Sequence, residues 1–178
     1  VGVLEPSAEV ILPTQCPSCD SDLDWQEDFL RCSNSASCPD QVVHRIRHWF
    51  SILGNSDGMG IKTLKRLVAA GHTRLPQVYA LEEADFLSME FGPGQSKVLV
   101  KALSDSRELP VEDARFLAAL GISDLGIGEA RRLLAQKSLE ELGEISAEAL
   151  KQIKGFGEIT SVRIADGLKS RWPEVQYL

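Results

Sequence analysis

The sequence predicts a mainly α-helical chain: a small four-cysteine zinc finger followed by four helix-hairpin-helix repeats. Three observations carry this. Four cysteines are confined to residues 16–38, and a Gly-x-Gly turn recurs four times after them. Apolar residues fall at helical spacing on both sides of each turn, while strand signals are almost absent beyond residue 40.

The cysteines come first. Cys16, Cys19, Cys32 and Cys38 follow the spacing C-x2-C-x12-C-x5-C. Two close pairs joined by an excursion that folds back bring four thiolates together around a tetrahedral metal. Pro17, Pro39, Ser18, Asp20, Asn34 and Ser35 suit the turns. Leu23, Trp25, Phe29 and Leu30 suit a short β-hairpin between the pairs. Four thiolates fill a zinc ion's coordination, so the expected role is structural, with one zinc per chain. Disulfides and an iron–sulfur cluster are the alternatives. His44 and His48, one helical turn apart downstream, are read as solvated helix residues rather than ligands.

The repeats follow. The turns are Gly58-Met59-Gly60, Gly92-Pro93-Gly94, Gly126-Ile127-Gly128 and Gly155-Phe156-Gly157, with first glycines 34, 34 and 29 residues apart. Val43, Ile46, Phe50 and Leu53 predict a helix before the first turn; Leu64, Leu67 and Val68 predict one after it, stopped at Gly71. Val98, Leu99, Ala102 and Leu103 follow the second turn. Phe116, Leu117 and Leu120 precede the third, and Ala130, Leu133 and Leu134 follow it. Ser138 and Glu141 read as a capping box. Leu150 and Ile153 precede the fourth turn; Ile159, Val162, Ala165 and Leu168 follow it. All these stripes are expected in the core.

Each turn delivers the chain into a helix N-terminus. Unpaired N–H groups and the positive end of the dipole point outward there, a ready phosphate site. Such a site touches backbone phosphate and reads no base sequence. Gly58, Gly60, Gly92, Gly94, Gly126, Gly128, Gly155 and Gly157 are therefore the expected DNA-contacting glycines. Lys62, Lys65, Lys97, Lys101 and Arg131 are the expected cationic partners. Glu129 and Glu158 occupy the same favourable potential as a phosphate would, so hairpins one and two are expected to be the better DNA contacts. The plainer alternative is that the turns only connect helices.

Composition sets the limits. The 178 residues are 43% hydrophobic, with 26 acids against 19 bases, a net charge of −7. That balance argues against indiscriminate nucleic-acid binding. The acidity is uneven: residues 1–50 hold 8 acids and 3 bases, whereas residues 51–110 hold 7 of each. No apolar run is long enough to span a membrane, and no export signal is evident. The chain begins at Val1 and its first methionine is Met59, which is read as a segment of a longer or processed protein.

The combination resembles the C-terminal region of bacterial NAD-dependent DNA ligases. Pro13-Thr14-Gln15-Cys16-Pro17-Ser18-Cys19 and Cys38-Pro39-x-Gln41 are similar to that family's finger. Asp57-Gly58-Met59-Gly60 and the run Ala114–Ile122 are similar to its hairpin region, and Val1–Leu4 to the end of its oligonucleotide-binding barrel. The resemblance implies a barrel tail or linker at 1–14, a four-cysteine zinc finger at 15–41 and a tandem helix-hairpin-helix DNA-binding domain at 42–178. It implies nicked double-stranded DNA and the catalytic half of a ligase as partners, in replication and repair in the bacterial cytoplasm, at the nucleoid. It implies no membrane and no small-molecule substrate. The family takes AMP from NAD on a lysine within Lys-x-Asp-Gly, a motif this chain lacks. NAD would then be used only by the catalytic part outside this chain, which contributes no catalytic residue.

Two other functions remain open. One is a DNA glycosylase or lyase with an iron–sulfur cluster, for which Asp113 is the only candidate acid. The other is a free-standing helix-hairpin-helix DNA-binding or scaffold protein of DNA repair.

Overall fold

The computed structural model describes residues 12–176. The resemblance of Val1–Leu4 to a barrel strand lies outside the described residues. The cysteine segment folds as an antiparallel β-hairpin, β1 (Leu23–Gln26) and β2 (Phe29–Cys32), with Trp25 opposite Leu30. Glu27 takes the left-handed conformation that its turn needs (φ 55°). Trp25 and Phe29 are 60% and 63% exposed, so the hairpin buries little of its own. An isolated two-stranded hairpin is marginal in water, and its order depends on the knuckles at either end.

Helix α1 (Pro39–Leu53) starts directly from the last cysteine. Cys38 is its N-cap and Pro39 its first residue, where a missing N–H costs nothing. It ends at Gly54 in a left-handed cap (φ 71°). The remaining helices are α2 (Ile61–Ala69), α3 (Leu75–Tyr79), α4 (Glu83–Ser88), α5 (Pro93–Glu108), α6 (Asp113–Ala119), α7 (Ile127–Leu134), α8 (Ala147–Lys151) and α9 (Glu158–Val175). The capping box at Ser138 and Glu141 opens a 3-10 helix, Leu139–Glu144.

Helices pack as α1 with α2, α4 with α5, α6 with α7 and α8 with α9, one pair per hairpin. Contacts of α1 with α6 and of α3 with α9 join the pairs. Val43, Ile46, Phe50, Leu64, Leu67, Leu99, Leu117, Leu133, Leu150, Ile164 and Leu168 belong to one buried cluster. A buried hydrogen-bond chain runs through it: Trp49 Nε1 donates to the Tyr79 hydroxyl (2.9 Å), which lies 2.7 Å from Ser106 Oγ. It ties α1, α3 and α5 together and satisfies the polar ends of two buried aromatics.

Three expected core residues are instead at the surface. Val98 is 50% exposed, Ile159 69% and Val162 43%. In α9 the buried positions are Ser161, Ile164, Leu168 and Val175. The buried face is thus one in which a serine occupies the first core position. Helices α3 and α4 go beyond the sequence reading, because five or six residues hold too little periodicity to register.

Candidate nucleic-acid interface and metal centre

The four hairpins share one register, and it differs from the Gly-x-Gly spacing. In each, a residue with left-handed backbone is followed by a buried apolar residue, then by a glycine that caps a helix. The units are Gly58-Met59-Gly60, Glu90-Phe91-Gly92, Asp124-Leu125-Gly126 and Gly155-Phe156-Gly157. Their first residues have φ of 81°, 63°, 64° and 102°. Met59, Phe91, Leu125 and Phe156 are all buried. The capping glycines at 60, 92, 126 and 157 are 32, 34 and 31 residues apart.

The second and third turns therefore lie two residues earlier than the glycine pairs suggested. Gly94 and Gly128 are not turn residues. They are the second residues of α5 and α7, with open space where a Cβ would stand. Pro93, the first residue of α5, is exposed. Glu90 and Asp124 take the left-handed role that glycine takes at 58 and 155. Of the two, Asp124 has the short polar side chain that visits this region more readily.

The shared register continues into the helices. Counting from each capping glycine, the fourth residues are Leu64, Ser96, Ala130 and Ser161, and the seventh are Leu67, Leu99, Leu133 and Ile164. All eight are fully buried. No side chain caps any of these four helix starts. The first backbone bonds run from Leu64, Ser96, Ala130 and Ser161 N–H to the capping glycine's carbonyl. The N–H groups before them have no helical partner. Hairpin one offers those of Ile61, Lys62 and Thr63; hairpin two, with proline at its first position, offers Gly94 and Gln95.

Charge differs among the four. Neither α2 nor α5 has an acid in its first turn, whereas α7 has Glu129 and α9 has Glu158. Glu129 Oε2 folds back to 3.2 Å from where a Gly126 Cβ would stand. Among the described residues, no ion pair involves Lys62 or Lys97. Lys65 pairs with Asp40 (3.1 Å) and Lys101 with Asp105 (2.6 Å). Arg131 makes a two-pronged contact with Glu112 (2.7 and 3.0 Å), which holds the Glu112 carboxyl below its usual range. In hairpin four, Lys151 pairs with Glu158 (2.8 Å) and Arg163 with Asp124 (3.2 Å). Arg66, which follows hairpin one in the sequence, is held at the junction of hairpins one and two. It stacks 3.7 Å over the Phe91 ring and donates to the Met89 carbonyl, joining hairpin one to hairpin two. Asp113 is an exposed first residue of α6.

At the other end, the four cysteine Sγ atoms lie within 4.8 Å of one another. Cys16 and Cys38 are 3.9 Å apart, Cys19 and Cys32 3.5 Å. Four sulfurs at about 2.3 Å from a tetrahedral zinc stand roughly 3.8 Å from each other, so the set fits such an ion. Disulfide sulfurs would sit at about 2.05 Å. Backbone turns hold the ligands: Cys16 N–H donates to the Ser21 carbonyl (2.8 Å) and Asp20 N–H to that of Cys16 (2.9 Å). Gln41 Nε2 donates to the carbonyls of Cys32 (3.1 Å) and Asn34 (3.3 Å), locking α1 to the second knuckle. Neither His44 nor His48 joins the cluster; His48 Nε2 lies 3.0 Å from the Ala118 carbonyl. No helix among the described residues is long and apolar enough to cross a membrane.

Comparison with known proteins agrees with this picture. A family model described as a SAM-like helix-hairpin-helix tandem matches residues 116–170, which hold hairpins three and four. The DNA ligase of Desulfatibacillum aliphaticivorans is 49% identical over 177 residues, covering 99% of this chain and 28% of that protein. The DNA ligase of Desulfotalea psychrophila is 45% identical over 163 residues, 91% of this chain and 24% of that protein. That of Ruthia magnifica is 38% identical over 178 residues, 100% and 29%. The chain thus spans about a quarter of the length of the curated relatives it matches. Over its whole length this chain is related to one region of the DNA ligases, and in it that region is a four-cysteine cluster followed by tandem helix-hairpin-helix units.

Proposed function

We propose that this chain is the duplex-gripping C-terminal region of an NAD-dependent DNA ligase. It clamps the backbone around a nick for a catalytic half that lies outside it. The observation that carries this is the set of four helix starts in one register, each glycine-capped and each without a side-chain cap. Backbone N–H groups aimed outward beside a residue with no side chain suit a phosphate and are blind to base sequence. Hairpins one and two carry most of the grip. Their first turns hold no acid, and Lys62 and Lys97 have no ion-pair partner among the described residues. Hairpins three and four contribute less directly.

The metal in the cluster is zinc, held by Cys16, Cys19, Cys32 and Cys38. It supplies no chemistry beyond cross-linking two knuckles that lack a core. The finger sets the direction in which the hairpins leave the preceding region. NAD is consumed only in the catalytic half, and the work belongs to replication and repair in the bacterial cytoplasm. The linker at 1–14, the finger at 15–41 and the hairpin tandem at 42–178 form one side of a clamp that the catalytic half completes.

The test is a salt titration of duplex binding with nicked and intact DNA of several sequences. Equal affinity across sequences and a slope of roughly −2 to −4, at about −0.9 per neutralised phosphate, are expected. Strong preference for one sequence would refute the reading. Incubation with NAD should leave the chain's mass unchanged; an added AMP would refute the division of labour.

A further inference from the structure

Hairpin three is poor in free positive charge of its own. Arg131 is engaged by Glu112, Arg132 of the same helix lies against Gly155 of hairpin four, and Glu129 lies over the capping glycine. Yet the cleft onto which this hairpin opens is not acidic. It has a volume of about 570 Å3, and its walls include Asp124 and Gly126 of hairpin three, Ala118 of α6, Arg45 and His48 of α1, and Arg171 of α9.

The two arginines are underused. Among the described residues, Arg45 donates only to the Ser35 carbonyl, at 3.4 Å. Arg171 faces Glu174 at 4.0 Å, and Glu174 is shared with Arg74 at 3.7 Å. A guanidinium has five N–H donors, so most of theirs remain unspent. Asp124, the one acid on the cleft wall among the described residues, is occupied by Arg163. Arg45 and Arg171 are also near enough to oppose each other. Burial first, and then the charge of Arg171, lower the Arg45 pKa, with Glu174 only partly offsetting them. Two cations on the wall of one cleft, with Glu174 as the acid beside them and itself divided between Arg74 and Arg171, leave local positive charge that an oxyanion would neutralise.

We propose that Arg45 and Arg171 form a phosphate site at the mouth of hairpin three, so that this hairpin takes its positive charge from α1 and α9 rather than from its own helix. The ligand is a phosphodiester of the DNA backbone. The two forks supply charge-assisted hydrogen bonds, and Gly126 and Ile127, at the start of α7, lie on the wall of the same cleft. Three distant segments of the chain must be folded together before the site exists, which is why no local motif announces it. The inference rests on the duplex-binding reading above and extends it to a hairpin that the charge ranking set aside.

The test uses the whole chain. Arg45→Gln with Arg171→Gln should flatten the salt slope of duplex binding by about 1 unit, the one phosphate that the pair neutralises, for every sequence, with metal content and melting midpoint kept. Arg45→Lys with Arg171→Lys should retain the slope. Glu174→Gln, which removes the shared acid, should raise affinity severalfold, an effect that loss of folding cannot imitate. Inorganic phosphate should shift the Arg45 and Arg171 side-chain resonances, and duplex should compete with it. A wild type that binds no duplex sinks the duplex reading itself. A wild type that binds duplex with a slope unchanged in the glutamine pair overturns the cleft alone. Phosphate shifts that duplex fails to suppress would overturn the DNA backbone as the source of the ligand.

Discussion

Gly167 in the middle of α9 lies directly against Ile122, in the turn between α6 and α7. A Cβ on Gly167 would overlap Ile122 Cγ2 and come within 3.1 Å of Cγ1 and 3.2 Å of Cβ. Ile122 is β-branched and buried, so it cannot swing aside. The absence of a side chain at 167 is what lets the last helix close on the third hairpin.

Gly167→Ala is therefore expected to destabilise the chain. Overpacking costs about 1–3 kcal/mol, and the gain in helix propensity returns only about 1 kcal/mol. Gly128→Ala, on the open second position of α7, brings the same propensity gain without a clash and is expected to stabilise. Thermal unfolding of the two variants should give shifts of opposite sign.

The capping glycines separate folding from binding. Gly60 has ordinary φ (−78°) and nothing within 4 Å of its missing Cβ. Gly60→Val should keep the melting midpoint close to wild type and still weaken duplex binding, because the new side chain stands where phosphate approaches. Gly58→Val should fail differently. Its φ is 81° and its Cβ would lie 3.1 Å from Leu99 Cδ2, so stability should fall first. Equal binding by Gly60→Val and wild type would remove hairpin one from the interface.

Lys62→Gln combined with Lys97→Gln should weaken all duplex sequences alike and flatten the salt slope by about two units. The same change at Lys101, which is already paired with Asp105, should do less. Fluorescence anisotropy at several salt concentrations reads both effects.

Removal of a cysteine tests the metal. Elemental analysis should find one zinc per chain in wild type and none in Cys32→Ala, in which the β1–β2 hairpin should unfold. The helical repeats should retain most of their circular dichroism, because their core is separate from the cysteine cluster. A chelator applied to wild type should reproduce the loss.

The Glu112–Arg131 pair gives a pH signature. Hydrogen bonding to Arg131 lowers the Glu112 pKa. The pair's stabilisation is present above the ordinary glutamate value near 4.5 and is lost as pH falls through the lowered one. Glu112→Gln should melt slightly below wild type at about pH 7 and match it at about pH 2. Both residues are exposed, so the difference should also shrink in high salt. Coincident melting curves at neutral pH and low salt would show the pair to be without energetic weight.

The four-cysteine cluster was legible because its information is local: four thiols and the turn formers beside them occupy one short stretch. Hairpins one and four were legible for a similar reason, since glycine fills both the left-handed and the capping position. Hairpins two and three were misplaced by two residues because Glu90 and Asp124 carry the left-handed backbone, while Gly94 and Gly128 offered a false second glycine. The helical stripes mostly predicted burial. Ile159 and Val162 escaped because period alone does not choose between adjacent faces when Ser161 sits in the core. The pairing of Lys65 with Asp40, the stacking of Arg66 on Phe91 and the convergence of Arg45 and Arg171 on one cleft all depend on tertiary packing and leave no trace in sequence spacing.

Cys38 is at once a member of the metal cluster and the residue that caps α1. No linker separates the two, and Gln41 braces the junction from the first turn of the helix. Torque applied at the finger is thus transmitted along a 15-residue spar straight to hairpin one, with no joint to absorb it. A body attached before the first cysteine would steer the hairpins as a handle steers a blade, and loss of the ion would turn that handle into a slack tether.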